Sequence, residues 1–289
     1  MSIVEKKSTF DNLTLGKKLC NEIFTNICEF AKTTDSTVDL MNYGNNLLMD
    51  YSVSYPLNIS IGNCVENYTY GDEFINIPNY NHDTDVVKIK FGINVCGLSI
   101  NFCKFLKNKT TKILYDFLEN LESKLVKKMI DKNTTDDFAK FIENTMINKN
   151  LILLPNILCN HINQQSDFLP RDFYLNYKGF ENEYENICYE LEKGSVYNIS
   201  IKFSLEPVKI IHVKSFLHEK INFIFDKSKS VSNLFKKIKN NKIFSSYNMN
   251  SSEKLGLKIM TDKNCIRNLP LLYSKNGIVF TYETTMIVE

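Results

Sequence analysis

Tyr55-Pro56-Leu57-Asn58-Ile59-Ser60-Ile61-Gly62-Asn63-Cys64-Val65-Glu66-Asn67-Tyr68 precedes Asp85-Val86-Val87-Lys88-Ile89-Lys90-Phe91-Gly92-Ile93-Asn94-Val95-Cys96-Gly97-Leu98-Ser99-Ile100-Asn101 by a short polar stretch. Ile59 to Cys64 and Val86 to Gly92 alternate apolar and polar residues and predict strands. Phe91 to Gly97 reads as a tight hairpin that leads into a third strand, Leu98 to Phe105. Strands paired this way form an antiparallel sheet.

The flanks are helical. Leu15, Leu19, Ile23, Ile27 and Phe30 recur at helical spacing and predict a helix from Leu13 to Lys32, with Thr14 as its cap. A second helix is expected from Val38 to Met49, capped by Ser36 or Thr37. Two more are expected from Thr110 to Asp131 and from Thr135 to Met146, the former carrying Leu114, Phe117, Leu118 and Leu121 on one face. Ile187 to Ser204 is rich in strand formers. Leu271 to Phe280 reads as a hairpin turning at Asn276-Gly277, with Thr281 to Val288 as the last strand. The pattern is that of an α+β chain with antiparallel sheet.

The 289 residues, with 43% hydrophobic and 24% charged, suit a globular chain with a sizeable core. No apolar run reaches the length of a membrane span, and Met1-Ser2-Ile3-Val4-Glu5-Lys6-Lys7 lacks the apolar core of a secretory signal. The eight cysteines show no C-x-x-C pair and no His at zinc-finger spacing, so reduced, mostly buried thiols are expected. His82, His161, His212 and His218 form no H-E-x-x-H pattern, and no phosphate-binding glycine loop is present.

The net charge of +2 conceals an asymmetry. Lys209 to Arg267 holds thirteen Lys/Arg against four Asp/Glu, a net +9 that leaves −7 for the remainder. A basic segment beside an acidic body is an electrostatic footprint for a polyanion. In its densest part Val231, Leu234, Phe235 and Ile238 form an apolar stripe that leaves Lys236, Lys237, Lys239 and Lys242 outward, where they would contact phosphates.

In order and spacing the strands and helices resemble the pita-bread fold of the methionine aminopeptidases and creatinases, a curved antiparallel sheet flanked by helices. Leu151-Ile152-Leu153-Leu154-Pro155-Asn156-Ile157-Leu158-Cys159-Asn160-His161 is similar to the segment that bears a metal-binding His in type 2 methionine aminopeptidases. Phe180 to Ser204 resembles the segment leading to their first metal-binding Glu, and Leu271 to Val288 the one carrying the last. Ile59 to Val65, Ile100-Asn101 and Leu272-Tyr273-Ser274-Lys275-Asn276-Gly277 resemble the proliferation-associated, ErbB-receptor-binding protein family most, a non-catalytic offshoot of those enzymes. The resemblance implies one pita-bread domain over 10–289, with residues 209–268 at the place of a type 2-like basic helical insert.

Enzymes of this fold hold two divalent ions with two Asp, two Glu and one His, and a further His faces the substrate. By resemblance Asn67 stands at the substrate-facing His, Lys90 and Asn101 at the two Asp, Ser200 at the first Glu and Glu283 at the second. Asn156 takes the metal-binding His position, or His161 under a shifted register. Hard divalent cations need anionic oxygens or neutral imidazoles, and this set offers one carboxylate and one ammonium. Neither metal nor any other cofactor is therefore expected, and hydrolysis through metal-bound water is not expected either. An ion pair between Lys90 and Glu283 in place of the metals is one arrangement such a set allows.

The function implied by the resemblance is binding to the large ribosomal subunit and its rRNA, in assembly or at the nascent-chain exit. The expected protein is a monomer without membrane contact, cytoplasmic, with nuclear and nucleolar locations open. The alternatives are an atypical metal-dependent methionine aminopeptidase and a nascent-peptide-binding module in which Glu283 meets an α-amino group.

Overall fold

The computed structural model describes residues 3–66, 79–129, 133–154, 157–162, 172–175, 190–220, 228–238, 243–246 and 249–288. Asn67, Asn156, Lys239 and Lys242 lie outside the described residues, as do 187–189 of the expected strand-rich stretch.

Helix α1 (Ile3–Ala31) is longer than its apolar periodicity suggests, so Thr14 is an interior residue rather than a cap. Its buried face runs through Leu13, Cys20, Ile23, Phe24, Ile27 and Ala31, while Leu15 is exposed. Helix α2 (Thr37–Leu48) starts at Ser36, whose side chain accepts from the Asp39 amide. Strand β1 (Val53–Ile61) ends at Gly62, which has a φ of +54°, and β2 (Cys64–Glu66) follows. Strands β3 (Val87–Val95) and β4 (Leu98–Phe105) form the expected hairpin, but its turn is Cys96-Gly97. Gly92 is no turn residue. It lies within β3 because a Cβ there would fall 2.5 Å from both Asn101 Oδ1 and Ser54 Oγ.

Helices α3 (Lys112–Val126) and α4 (Thr135–Ile147) follow, α4 capped by Thr134. Strands β5 (Ile152–Leu153), β6 (Ile157–Ile162), β7 (Asp172–Leu175) and β8 (Val196–Ser204) lead to β9 (Ile210–Lys220), α5 (Lys229–Ile238) and β10 (Ile243–Ser245). Helix α6 (Ser251–Asp262) and strands β11 (Ile266–Ser274) and β12 (Val279–Ile287) close the described chain.

Among the described residues an eight-stranded sheet has the order β1-β3-β4-β12-β8-β6-β7, with β5 beside β8, and a four-stranded sheet has the order β10-β9-β11-β2. Every recorded pairing is antiparallel. The expected hairpin of Leu271 to Phe280 is not formed, because β11 and β12 belong to different sheets. The Asn276-Gly277 turn instead packs on the chain after β8. Asn276 Nδ2 donates to the Pro207 carbonyl (2.8 Å), and its Oδ1 accepts from the Lys209 amide (3.1 Å). Ser274 N donates back to Asn63 O (2.8 Å) and fixes β11 in the smaller sheet.

Two apolar cores lie on one face of the large sheet. Helices α1 and α2 cover Leu57, Ile59, Ile89, Phe91, Ile93 and Ile100, while α3 and α4 cover Ile199, Ile201, Phe203, Phe280, Tyr282 and Met286. A third core joins Val231, Leu234 and Ile238 of α5, Phe244, Met260 of α6 and Ile266 of β11. The segment expected as a helical insert is thus a helix pair packed on strands.

The two halves of the large sheet meet between β4 and β12, where the register contains a single residue pair, Cys103 with Glu283. Side chains supply what the ladder lacks there. The Asn101 amide donates to Thr285 Oγ1 (3.2 Å), and Cys103 Sγ donates to the Thr281 carbonyl (3.5 Å). Lys88, 2% exposed, donates to the carbonyls of Cys64 in the smaller sheet and Val279 at the start of β12 (2.7 Å for the latter). One buried ammonium therefore ties both sheets together.

Candidate functional site

Directly opposed residues of an antiparallel sheet project to the same face. The register places Asn58, Lys90, Cys103, Glu283 and Ser200 in one transverse row across β1, β3, β4, β12 and β8. One alternation along the strands adds Lys88, Asn101, Thr281, Thr285 and Asn198 to that face. This is the face opposite the four helices, and charged, amide and hydroxyl side chains surround Cys103 on it.

Of the residues singled out from the sequence, the structure brings Lys90, Asn101, Ser200 and Glu283 together. The Lys90 ammonium lies 2.9 Å from Glu283 Oε2 and 4.5 Å from the centre of the Tyr55 ring. Glu283, only 3% exposed, takes a second contact through Oε1, which accepts from Asn198 Nδ2 at 2.6 Å. Asn198 Oδ1 accepts in turn from Thr285 Oγ1 (3.4 Å), and Asn101 Oδ1 from Ser54 Oγ (3.4 Å). Among the described residues, Glu283 Oε2 makes a charge contact with Lys90 but no well-directed hydrogen bond, and the buried hydroxyls of Ser200 and Thr281 have no hydrogen-bond partner.

Asn198, Tyr55, Lys88 and Thr285 escaped the sequence reading. Asn198 and Lys88 each lie two residues from a singled-out position in a strand, so the two-residue period was the available signal.

A second charged cluster backs the same seam from the helix side. Lys17 of α1 pairs with Glu122 of α3 at 3.0 Å, and Glu122 also accepts from the hydroxyls of Tyr282 (2.9 Å) and Thr284 (3.3 Å). Burial pushes the Glu122 carboxyl up, but the Lys17 charge and the hydrogen bonds from Lys17 and Tyr282 outweigh it and hold the group below its usual range. Burial beside that carboxylate drives the Tyr282 phenol well above 10. Nothing in the sequence distinguished Glu122 from the other charges of α3.

The donor set of the row does not suit a pair of divalent cations. Its one carboxylate is occupied by an ammonium, and amide and hydroxyl groups and the Cys103 thiol stand at the other positions. Among the described residues no three His, Cys, Asp or Glu side chains converge on a common point. A cation entering beside Glu283 would also meet the charge of Lys90.

In the basic segment Lys236 and Lys237 are both exposed on α5, opposite Val231, Leu234 and Ile238. Lys237 Nζ is held by Glu253 Oε2 at 3.0 Å, and that carboxylate also closes the capping box of α6 with Asn250.

Scans against protein-family models and curated proteins find no match. Solved structures do match. The chain superposes on a thermophilic Arx1 with a TM-score of 0.76 at 14% identity, covering 99% of this chain and 88% of that one. Against the methionine aminopeptidase of Rickettsia prowazekii the TM-score is 0.57 at 12% identity, over 98% of this chain and 94% of that one. Against that of Thermotoga maritima it is 0.54 at 12% identity, over 72% and 84%. With the α+β architecture and antiparallel sheet, these likenesses show that the chain has the pita-bread fold of the methionine aminopeptidases.

Proposed function

We propose that this chain is a catalytically inactive member of the aminopeptidase fold that binds the large ribosomal subunit through rRNA phosphates. The observation that carries the loss of catalysis is the Lys90–Glu283 pair in the middle of the row. Where the resemblance puts paired cations, this protein has its own ammonium, so bound water would have no Lewis acid to lower its pKa. The same contact weighs against the peptide-binding alternative, since an incoming α-amino group would have to displace Lys90 and Asn198 from Glu283.

Support for the ribosomal partner comes from the resemblance to the proliferation-associated family and from the +9 charge of Lys209 to Arg267. Lysines on flexible stems neutralise phosphates with little sequence preference and strong salt dependence. Lys236 is exposed for this role, and Lys239 and Lys242 are proposed to share it, whereas Lys237 is engaged by Glu253. Co-sedimentation with purified large subunits tests the reading. The protein should pellet with them at near-physiological salt and be released at high salt. A protein that stays in the supernatant under both conditions contradicts it.

A further inference from the structure

The charge of the basic segment is not spread evenly over its described surface. Helix α5 turns Lys229 and Lys236 outward seven residues apart, and α6 turns Lys254 and Lys258 outward four residues apart. Those spacings correspond to two turns and about one turn, roughly 10 Å and 6 Å of rise. In each helix the lysines lie opposite the buried stripe, Val231, Leu234 and Ile238 in one and Gly256 and Met260 in the other.

The two helices are held as one body. The backbone of Gly256 meets that of Ser230, Asn233 Nδ2 donates to Ser252 Oγ (3.2 Å), and Lys237 pairs with Glu253. None of the four outward lysines has an acidic partner among the described residues. The nearby acids are Glu253, engaged by Lys237 and by the α6 cap, and the exposed Asp262 at the end of α6.

We propose that the outer surface of this helix pair docks double-stranded RNA, with Lys229, Lys236, Lys254 and Lys258 on its phosphates. The inference rests on the ribosomal reading above and names the form of RNA it recognises. The choice of a duplex follows from what accompanies the lysines. Single strands are held by aromatic side chains on which bases stack, and duplex RNA by its backbone and shape. The exposed residues of the two helices are lysines, serines, Asp262 and Leu255, with no exposed aromatic ring among them. Phe235 is half-buried against the local core and Phe244 is buried within it. Such a surface offers charge without a stacking platform.

The test is the salt dependence of binding to a labelled RNA duplex of arbitrary sequence, with the full chain. Each phosphate contact contributes roughly 0.9 to the slope of log K against log salt. K229Q/K236Q/K254Q/K258Q should lower the magnitude of that slope by about three to four, and K254Q/K258Q alone by about half as much. K237Q, already neutralised by Glu253, should change it by less than one contact. The wild type should bind the duplex more tightly than a single strand of the same length, and polyglutamate at equal charge concentration should not displace the bound duplex. An unchanged slope in both lysine variants, tighter binding of the single strand, or a preference for an acidic polypeptide would each overturn the inference. If wild-type protein pellets with large subunits while the slope is insensitive to these lysines, only this inference fails. If wild type neither pellets nor binds duplex, the ribosomal reading fails as well.

Discussion

At the scale of single residues, the transverse row is built around one buried ion pair. Lys90 and Glu283 are 8% and 3% exposed and 2.9 Å apart. A buried pair of this kind adds little net stability, but breaking it leaves an uncompensated charge. Lys90→Met is expected to destabilise the protein by about 3–5 kcal/mol. Lys90→Met combined with Glu283→Gln should recover most of that loss, because the glutamine keeps an acceptor for Asn198 and carries no charge. Chemical denaturation of the two single variants and the double variant measures the coupling, and additive losses would show that the pair is not one unit. The residue types of this site were legible in the sequence only through resemblance. The Lys90–Glu283 pair was open from the residue types alone, but the contacts of Asn198, Thr285 and Ser54 were not, because they depend on strand registers set across the sheet rather than along the chain. The lone His218 sits between Asn268 and Ser246 with both ring nitrogens engaged at 2.8 Å.

Among the secondary-structure elements, local signals succeeded where a helix or strand carries its own instructions and failed where distant packing decides. Ser36 capping α2 was legible, as was the apolar face of α3. Gly92 reads locally as part of a turn, yet its small size serves the close approach of Asn101 and Ser54 within β3. The Asn276-Gly277 turn was correctly placed, with Gly277 at a φ of +68°, yet a turn does not say whether the strands it joins will pair. Gly256 repeats the lesson inside a helix. Alanine at an exposed helical glycine usually stabilises by about 1 kcal/mol. Here its Cβ would fall 2.4 Å from the Ser230 carbonyl oxygen, so the helices would have to part. Gly256→Ala should therefore destabilise, by about 1–3 kcal/mol, in a thermal or denaturant melt. A stabilised variant would mean that α5 and α6 are less tightly apposed than described.

For the molecule as a whole, two apolar cores on one face of a divided sheet leave a polar seam, and charges bridge that seam on both sides. Lys90–Glu283 crosses it on the polar face and Lys17–Glu122 on the helix face. The fold class was readable from the order of helices and strands. The seam was not, because it is a property of how β4 and β12 fail to pair along most of their length. The proposed inactivity and the proposed polyanion binding would then be separable, the first set by the Lys90–Glu283 row and the second by surface lysines of the basic segment. The first is tested most directly by calorimetric titration of the purified protein with Mn²⁺. The account predicts no saturable binding that depends on Glu283. Two equivalents bound with micromolar affinity, and lost in Glu283→Gln, would contradict it.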